Sequence, residues 1–122
     1  MLVSKTVKFD AAHFLPNYGG KCRNLHGHTW KVEVAVEGTP NRETGMVVDF
    51  AWLKKVLTAE VVERFDHTCL NDWYGNPTAE MLAQWVFDII KCNWIQSPGE
   101  AIQLKWVKVW ESEDSYVLED GK

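Results

Sequence analysis

The sequence of 122 residues predicts one α+β domain, residues 1–122, in which an antiparallel four-stranded sheet carries two helices on one face. Three observations predict this class. Two segments near the N-terminus alternate apolar and polar residues, the middle of the chain changes to helical spacing, and the C-terminal part returns to strands. The predicted order is therefore strand, strand, helix, helix, strand, strand (ββααββ).

The first two strands are predicted from period-two alternation. From Val3 to His13 the odd-numbered residues are mostly apolar, so this face of the strand, with His13 on it, turns toward the core. After a loop with Pro16 and Gly19, the pattern returns from His26 to Val36, and His28 shares the even-numbered inward face. We expect the two strands to pair in antiparallel fashion.

The two helices are predicted from capping residues and helical spacing. Asp49 is a favourable N-cap residue for the first helix. Its apolar stripe is Phe50, Leu53, Val56, Leu57 and Val61. Asn76-Pro77-Thr78 begins the second helix, with Pro77 in the first turn, and Ser97-Pro98-Gly99 ends it. The stripe of the second helix is Leu82, Trp85, Val86 and Ile89.

The last two strands are predicted over Ala101 to Glu111 and Tyr116 to Glu119, around a turn at Ser112–Ser115. A four-stranded sheet leaves two edges open, and proteins usually pair or protect such edges. Edge pairing between copies of the chain is one expected solution.

Composition excludes several functional classes. The net charge of −4 argues against nucleic-acid and membrane-surface partners, which favour basic proteins. No apolar run reaches the roughly 18–20 residues that span a bilayer, and the first ten residues do not resemble a signal peptide. Three cysteines leave at least one free thiol, so we expect a reducing cytoplasmic location. Lysines and an arginine near the N-terminus still permit an anionic small-molecule substrate.

Three of the four histidines, His13, His26 and His28, form the most informative cluster. Residues two apart on a strand point the same way, so His26 and His28 lie about 6.5–7 Å apart on one face. His13 occupies the inward face of the predicted partner strand. Separate core or surface histidines are the alternative, but three converging imidazoles suit Zn²⁺ with one open coordination position. The pattern predicts a zinc site.

Cys22, close to the histidines in sequence, has two interpretations. As a fourth ligand it would close the coordination shell and make the metal structural. As a free thiol beside a cation it would act as a base or nucleophile. Lys21 and Arg23 favour the thiolate in both cases, so both interpretations stay open.

Four further acidic or basic residues, in three segments, are candidates for a site. Asp66-His67 is either a proton-transfer pair or a solvated helix end, and we expect each side chain to contact a third group rather than its neighbour. Glu111 ends an apolar strand, so it either binds a heterocycle through paired hydrogen bonds or is a solvated turn residue. Glu80, in the first turn of the second helix, is most simply a favourable charge at the helix dipole.

These motifs occur in the order typical of the 6-pyruvoyl-tetrahydropterin synthase superfamily, which the chain resembles over nearly its whole length. The matching segments are Phe9-Asp10-Ala11-Ala12-His13, Cys22 to His26-Gly27-His28, Val48-Asp49-Phe50, Phe65-Asp66-His67, Pro77-Thr78-Ala79-Glu80 and Val109-Trp110-Glu111. The three residues between Cys22 and His26 look like the bacterial 6-carboxy-tetrahydropterin synthase branch. Enzymes that make the 6-pyruvoyl product generally have a longer gap there.

The resemblance implies the tunnelling fold (T-fold), in which trimers close their sheets into a barrel and two trimers stack as a homohexamer. It implies active sites at subunit interfaces. The implied site residues are zinc ligands His13, His26 and His28, catalytic Cys22, proton-relay partners Asp66 and His67, pterin anchor Glu111, and Thr78 and Glu80 near the pterin. Ala79 departs from the second threonine of animal relatives.

The implied reaction converts 7,8-dihydroneopterin triphosphate and water to 6-carboxy-5,6,7,8-tetrahydropterin, acetaldehyde and triphosphate, in the route to queuosine and other 7-deazapurines. One alternative is the sister enzyme that eliminates triphosphate to give 6-pyruvoyl-tetrahydropterin. Another is a non-catalytic, zinc-stabilised oligomeric binding module, which would place Cys22 on the metal.

Overall fold

The computed structural model describes residues 1–93 and 101–122 of the chain. The described strands and α-helices are β1 (Leu2–His13), β2 (His26–Glu37), α1 (Phe50–Leu57), α2 (Glu63–Phe65), β3 (Thr68–Cys69), α3 (Ala79–Cys92), β4 (Gln103–Ser112) and β5 (Ser115–Glu119). A π-helical turn, Thr58–Val62, joins α1 to α2, and short 3-10 helices cover Lys21–Arg23 and Leu70–Asp72. The predicted end of the second helix at Ser97-Pro98-Gly99 lies outside the described residues.

The sheet confirms the predicted α+β class and corrects the number of strands. Its order is β3-β1-β2-β4-β5, and the pairs β1–β2, β2–β4 and β4–β5 are antiparallel, as predicted. The fifth strand, β3, pairs in parallel with the end of β1 through Ala11–Thr68 and Ala12–Cys69. Two residues are too few to show a period, so alternation could not reveal this strand.

The core lies between the helices and one face of the sheet. The odd residues of β1 and the even residues of β2 face it, as their alternation predicts; Phe9 is 2% exposed and Trp30 is fully buried. α3 packs on β4 and β5, while α1 packs on β1. Both helices therefore cover one face.

Two predictions about the first turns of the helices are wrong. Asp49 caps α1 as predicted, because its carboxylate accepts the N–H of Ala51 at 2.8 Å, but Phe50 is 53% exposed and does not join the core stripe. Pro77 does not lie in the first turn of α3. It precedes the N-cap residue Thr78, whose hydroxyl accepts the N–H of Met81.

The helical segment from α1 to α2 positions the residues that follow it. The π-turn adds an extra residue per turn, Val61 within it stays fully buried, and α2 ends at Phe65. The chain then meets the edge of β1, where the N–H of His67 donates to the carbonyl of Asp10 at 2.6 Å.

None of the helices in the described ranges combines the length and apolar character needed to cross a bilayer.

Candidate metal centre and active site

The register of β1 and β2 brings the three predicted metal ligands together. His13 pairs with His26, and Ala11 pairs with His28, so all three imidazoles emerge on the core face at one end of the sheet. Their ring centroids lie 4.6–5.1 Å apart, and one donor atom from each ring lies within 4.8 Å of the others. Among the described residues, these three form the cluster able to hold a metal ion.

Main-chain carbonyls set the orientation of two rings. Nδ1 of His13 donates to the carbonyl of Pro77 at 2.8 Å, and Nδ1 of His26 donates to the carbonyl of Asn24 at 2.7 Å. A carbonyl only accepts, so both Nδ1 atoms carry the proton and both Nε2 atoms present a lone pair. Outer partners of this kind typically orient metal-binding histidines.

The three Nε2 atoms are buried and have no hydrogen-bond partner within the described part of the chain. A buried polar atom without a partner is costly unless a ligand satisfies it. Burial lowers the pKa of His28, the neighbouring imidazoles of His13 and His26 lower it further, and Glu111 opposes them. Neutral imidazoles are the form that binds divalent transition metals, so the donor set fits Zn²⁺.

Glu111 lies beside the histidine cluster, with 33% of its side chain exposed. Its two carboxylate oxygens are each 3.9 Å from an imidazole nitrogen, one from Nε2 of His13 and the other from Nε2 of His28. The register between β4 and β5 shifts between Trp110 and Ser112, so Glu111 sits at a bulge. Bulges re-aim side chains at strand ends. The carboxylate thus borders the space in front of the three Nε2 atoms.

Cys22 is half-buried in the 3-10 helix of the loop between β1 and β2. Its carbonyl accepts the N–H of Leu15 at 2.8 Å, which ties the two arms of the loop together. Its sulfur is not a member of the donor cluster that the three histidines form in the described chain. The geometry therefore does not support the interpretation of Cys22 as a fourth ligand and favours that of a free thiol.

Asp66 and His67 pair directly, which was not expected, while Asp66 also contacts a third group, the N–H of Asp10, as expected. Oδ2 of Asp66 lies 2.9 Å from Nδ1 of His67, and Oδ1 accepts the N–H of Asp10 at 2.9 Å. Adjacent side chains can meet because His67 has a left-handed φ of 60°, which folds the chain back after the extended Asp66. A left-handed backbone at a non-glycine residue is found more often at functional sites than elsewhere.

The contact between Asp66 and His67 shifts the pKa of both side chains. The hydrogen bond from the Asp10 N–H lowers the pKa of Asp66, and pairing with His67 lowers it further. The hydrogen bond from Asp66 raises the pKa of His67. The exposed His67 and the metal-ligand candidate His28 line the same cavity, of about 510 Å³. Among the described residues, His28 is the one candidate ligand that borders this cavity, and outward-facing positions of β1 and β2, among them Asp10 and Thr29, line it as well.

The remaining predicted residues lie at the start of α3. The Thr78 hydroxyl serves as the N-cap, directly after Pro77, whose carbonyl holds His13. Glu80, in the exposed first turn, lines a smaller cavity together with Glu111 and Tyr116. The site thus combines the ends of β1, β2 and β4 with the start of α3.

Some contributors were missed from the sequence. The carbonyls of Asn24 and Pro77 belong to the main chain, which every residue type has, so only the three-dimensional structure identifies their contacts with the histidines. Asp10 holds the Asp66-His67 pair through its main chain, and its carboxylate accepts the hydroxyl of Thr29. The side chain of Asn71 bonds the main chain of Phe14, directly after His13.

Comparison with known proteins identifies the family of the chain. The family model for 6-pyruvoyl tetrahydropterin synthase matches residues 2–122. A 6-carboxy-5,6,7,8-tetrahydropterin synthase of Synechocystis is 45% identical over 92 residues, covering 70% of this chain and 71% of that protein. A dihydroneopterin monophosphate aldolase of Pyrococcus furiosus is 41% identical over 108 residues, covering 88% and 87%.

A solved structure supports the fold over the entire length. The 6-pyruvoyl tetrahydropterin synthase of Caenorhabditis elegans superposes with a TM-score of 0.85 at 26% identity, covering 100% of this chain and 96% of that one. The T-fold predicted from the sequence motifs is thereby confirmed. The chain belongs to the 6-pyruvoyl tetrahydropterin synthase family of enzymes.

Proposed function

We propose that the protein is a zinc-dependent 6-carboxy-5,6,7,8-tetrahydropterin synthase. It converts 7,8-dihydroneopterin triphosphate and water to 6-carboxytetrahydropterin, acetaldehyde and triphosphate, in the route to queuosine. The observation that carries the proposal is the set of three buried Nε2 lone pairs without partners, bordered by the Glu111 carboxylate. The Synechocystis relative, named for this activity, supports the choice of reaction.

His13, His26 and His28 would hold Zn²⁺ through Nε2. When bound, Zn²⁺ supplies a Lewis acid that polarises the oxygens of the substrate side chain. The Pro77 and Asn24 carbonyls keep the imidazoles of His13 and His26 in the tautomer that binds metal. Three protein ligands would leave one coordination position for substrate, as in catalytic rather than structural zinc sites.

Cys22, Asp66 and His67 are the proposed acid–base groups. The sulfur of Cys22 removes a proton from the substrate side chain. Nε2 of His67 transfers protons at the opposite face of the substrate, because Nδ1 of His67 pairs with Asp66 at 2.9 Å and is not free to do so. The raised pKa of His67 favours the protonated imidazole, which can donate a proton to the substrate while Nδ1 donates to Asp66.

Glu111, Thr78 and Glu80 are the proposed substrate-binding residues. Glu111 accepts two hydrogen bonds from the N–H groups of the pterin ring, which orients the side chain toward the metal. Glu80 lines the cavity beside Glu111, and Thr78 shapes it by starting α3 there. A fixed ring leaves a single orientation for the reacting carbons.

The proposed assembly is a homohexamer, a dimer of trimers, with active sites at subunit interfaces. The open edges support edge pairing: β3 covers β1 only at Ala11–Ala12, and β5 forms the other edge. We further propose a cytoplasmic enzyme whose partner is the pterin triphosphate, with no role for nucleic acid or membrane.

The test is incubation of the zinc-loaded protein with 7,8-dihydroneopterin triphosphate, scored for acetaldehyde and 6-carboxytetrahydropterin. Both products are expected, and a Cys22→Ala variant serves as the catalytically impaired control. Release of triphosphate with 6-pyruvoyl-tetrahydropterin and no acetaldehyde would assign the sister activity. No pterin turnover with full zinc occupancy would favour the binding module.

A second candidate is the cleavage of dihydroneopterin monophosphate. The Pyrococcus furiosus relative named for that activity is 41% identical over 88% of this chain, a longer match than the Synechocystis one. The same metal and acid–base groups suit carbon–carbon cleavage of either substrate. Parallel assays with the monophosphate and the triphosphate separate the two, because the specificity is the ratio of their kcat/KM values.

A further inference from the structure

The side-chain amide of Asn71 clamps the main chain of Phe14. Its Nδ2 donates to the Phe14 carbonyl at 2.9 Å, and its Oδ1 accepts the Phe14 N–H at 2.9 Å. The two residues are 57 apart in sequence, and the contact is partly buried. An amide that uses both its donor and its acceptor on one residue imitates a paired strand.

The clamp extends the pairing of β1 beyond the end of the sheet. β3 pairs with β1 at Ala11 and Ala12, two and one residues before His13. The Asn71 amide continues this contact at Phe14, directly after His13. The metal-ligand candidate is therefore held on both sides by the same segment of the chain.

The clamp also lies at the root of the loop that carries Cys22. The next residue, Leu15, donates its N–H to the carbonyl of Cys22 at 2.8 Å. Asn71 holds Phe14, and Leu15 holds Cys22, so one short connection links the clamp to the thiol. A shift of Phe14 would displace both His13 and Cys22.

We propose that Asn71 is a positioning residue that fixes the end of β1, so that His13 and Cys22 keep their places relative to each other. The role of Cys22 rests on the proposed function, while the clamp itself is independent of the reaction. Asn71 acts through the main chain of Phe14, which takes its amide donor and shares its Oδ1 with the weaker donor Sγ of Cys69 at 3.8 Å.

The chain offers a matched control at Asn41. The Oδ1 of Asn41 accepts the N–H groups of Glu43 at 2.8 Å and Thr44 at 3.1 Å. The substitution Asn41→Asp retains both contacts, because a carboxylate oxygen accepts as the amide oxygen does. In Asn71→Asp the donor is lost and a carboxylate oxygen faces the Phe14 carbonyl. Both substitutions change the charge equally.

The experiment compares wild type, Asn71→Asp and Asn41→Asp by four readouts. These are folded fraction by circular dichroism, zinc retained per chain after dialysis, kcat and KM for the pterin triphosphate, and the rate of Cys22 alkylation by iodoacetamide from peptide mapping. We expect Asn71→Asp to lower kcat by about 10- to 100-fold with little change in KM. We expect it to change the alkylation rate of Cys22 by about fivefold, while Asn41→Asp matches wild type.

Several outcomes would overturn the proposal. Asn71→Asp with the kcat and Cys22 alkylation rate of Asn41→Asp would do so, as would a loss of kcat that only follows a loss of folded fraction. Asn71→Ala, which removes the clamp without adding charge, is the second variant; failure of both to fold would mean that the clamp serves the whole fold. If wild type turns over no pterin, the proposed function fails, and alkylation and zinc retention still decide the clamp.

Discussion

Replacing His13 and replacing His28 should have different costs in the metal-free protein, although both remove a proposed metal ligand. His13 is fully buried, and its Nδ1 donates to the carbonyl of Pro77. The His28 side chain keeps 24% of its surface exposed. The comparison of His13→Ala with His28→Ala therefore separates loss of metal from loss of packing.

The loss of folding free energy expected for His13→Ala is the sum of two contributions. The Pro77 carbonyl loses its donor, which costs about 1–3 kcal/mol for a buried group. The void left by a fully buried ring costs about 2–3 kcal/mol more. The sum of about 3–6 kcal/mol is a large share of the about 5–15 kcal/mol that stabilises a domain. For the partly solvated His28 we expect about 1 kcal/mol.

Thermal unfolding after chelation of metal measures this difference. One kcal/mol shifts Tm by about 4 °C for a chain of this size. His13→Ala should then lower the Tm of the metal-free protein by roughly 12–24 °C, and His28→Ala by about 4 °C. Added Zn²⁺ should raise the Tm of wild type, because the ion binds the folded state, and should raise neither variant as far.

Two results would refute this reasoning. Equal losses of Tm in the two metal-free variants would show that burial and the Pro77 contact do not govern the cost. Stoichiometric retention of zinc by both variants would show that the imidazoles are not its ligands.

Four other predictions test the chemistry and electrostatics of the site. Cys22→Ala should keep zinc and pterin binding but lose turnover, and full activity would exclude a role for the thiol. Asp66→Asn should lower the pKa of His67 toward 6.5, measured by an NMR titration of the ring; an unchanged value would exclude the pair as its cause. The contribution of His67 to the stability of the fold is complete below pH 6.5 and disappears as pH rises through its raised pKa. The contribution of Asp66 is lost as pH falls below 3.8 toward its lowered pKa. The pair therefore stabilises the fold most between pH 3.8 and pH 6.5. Glu111→Gln should retain zinc but weaken pterin binding by about 1.5–3 kcal/mol, measured by calorimetry, and unchanged affinity would exclude it as the anchor.

Much of the fold could be predicted because alternation and helical spacing are properties of neighbouring residues. The faces of β1 and β2 follow directly from period two, which placed His13 and His28 on the inner side. Phe50 shows the limit of this approach, since its position in the stripe suggested burial, yet the N-terminus of α1 extends past the core. β3 was too short to produce a pattern.

Much of the candidate site could also be predicted, although not its internal contacts. The spacing of His26 and His28 on one strand predicted that the two rings share a face, and the structure groups them with His13 in a cluster that could hold a metal ion. The direct pairing of Asp66 with His67 was not expected, since it depends on a left-handed backbone at His67 that no residue type announces. The Asn71 clamp joins residues 57 apart and has no local signature.

The sequence by itself determined the types of the longer elements, the inward faces of β1 and β2 and the identity of the chemical groups, because these depend on residue type and on spacing within a few residues. Only the tertiary structure decided the register that sets His13 opposite His26, the carbonyls that orient the rings, and the aim of Glu111 toward them. The reason is physical: register, tautomer and side-chain direction follow from packing and hydrogen bonds between segments far apart along the chain.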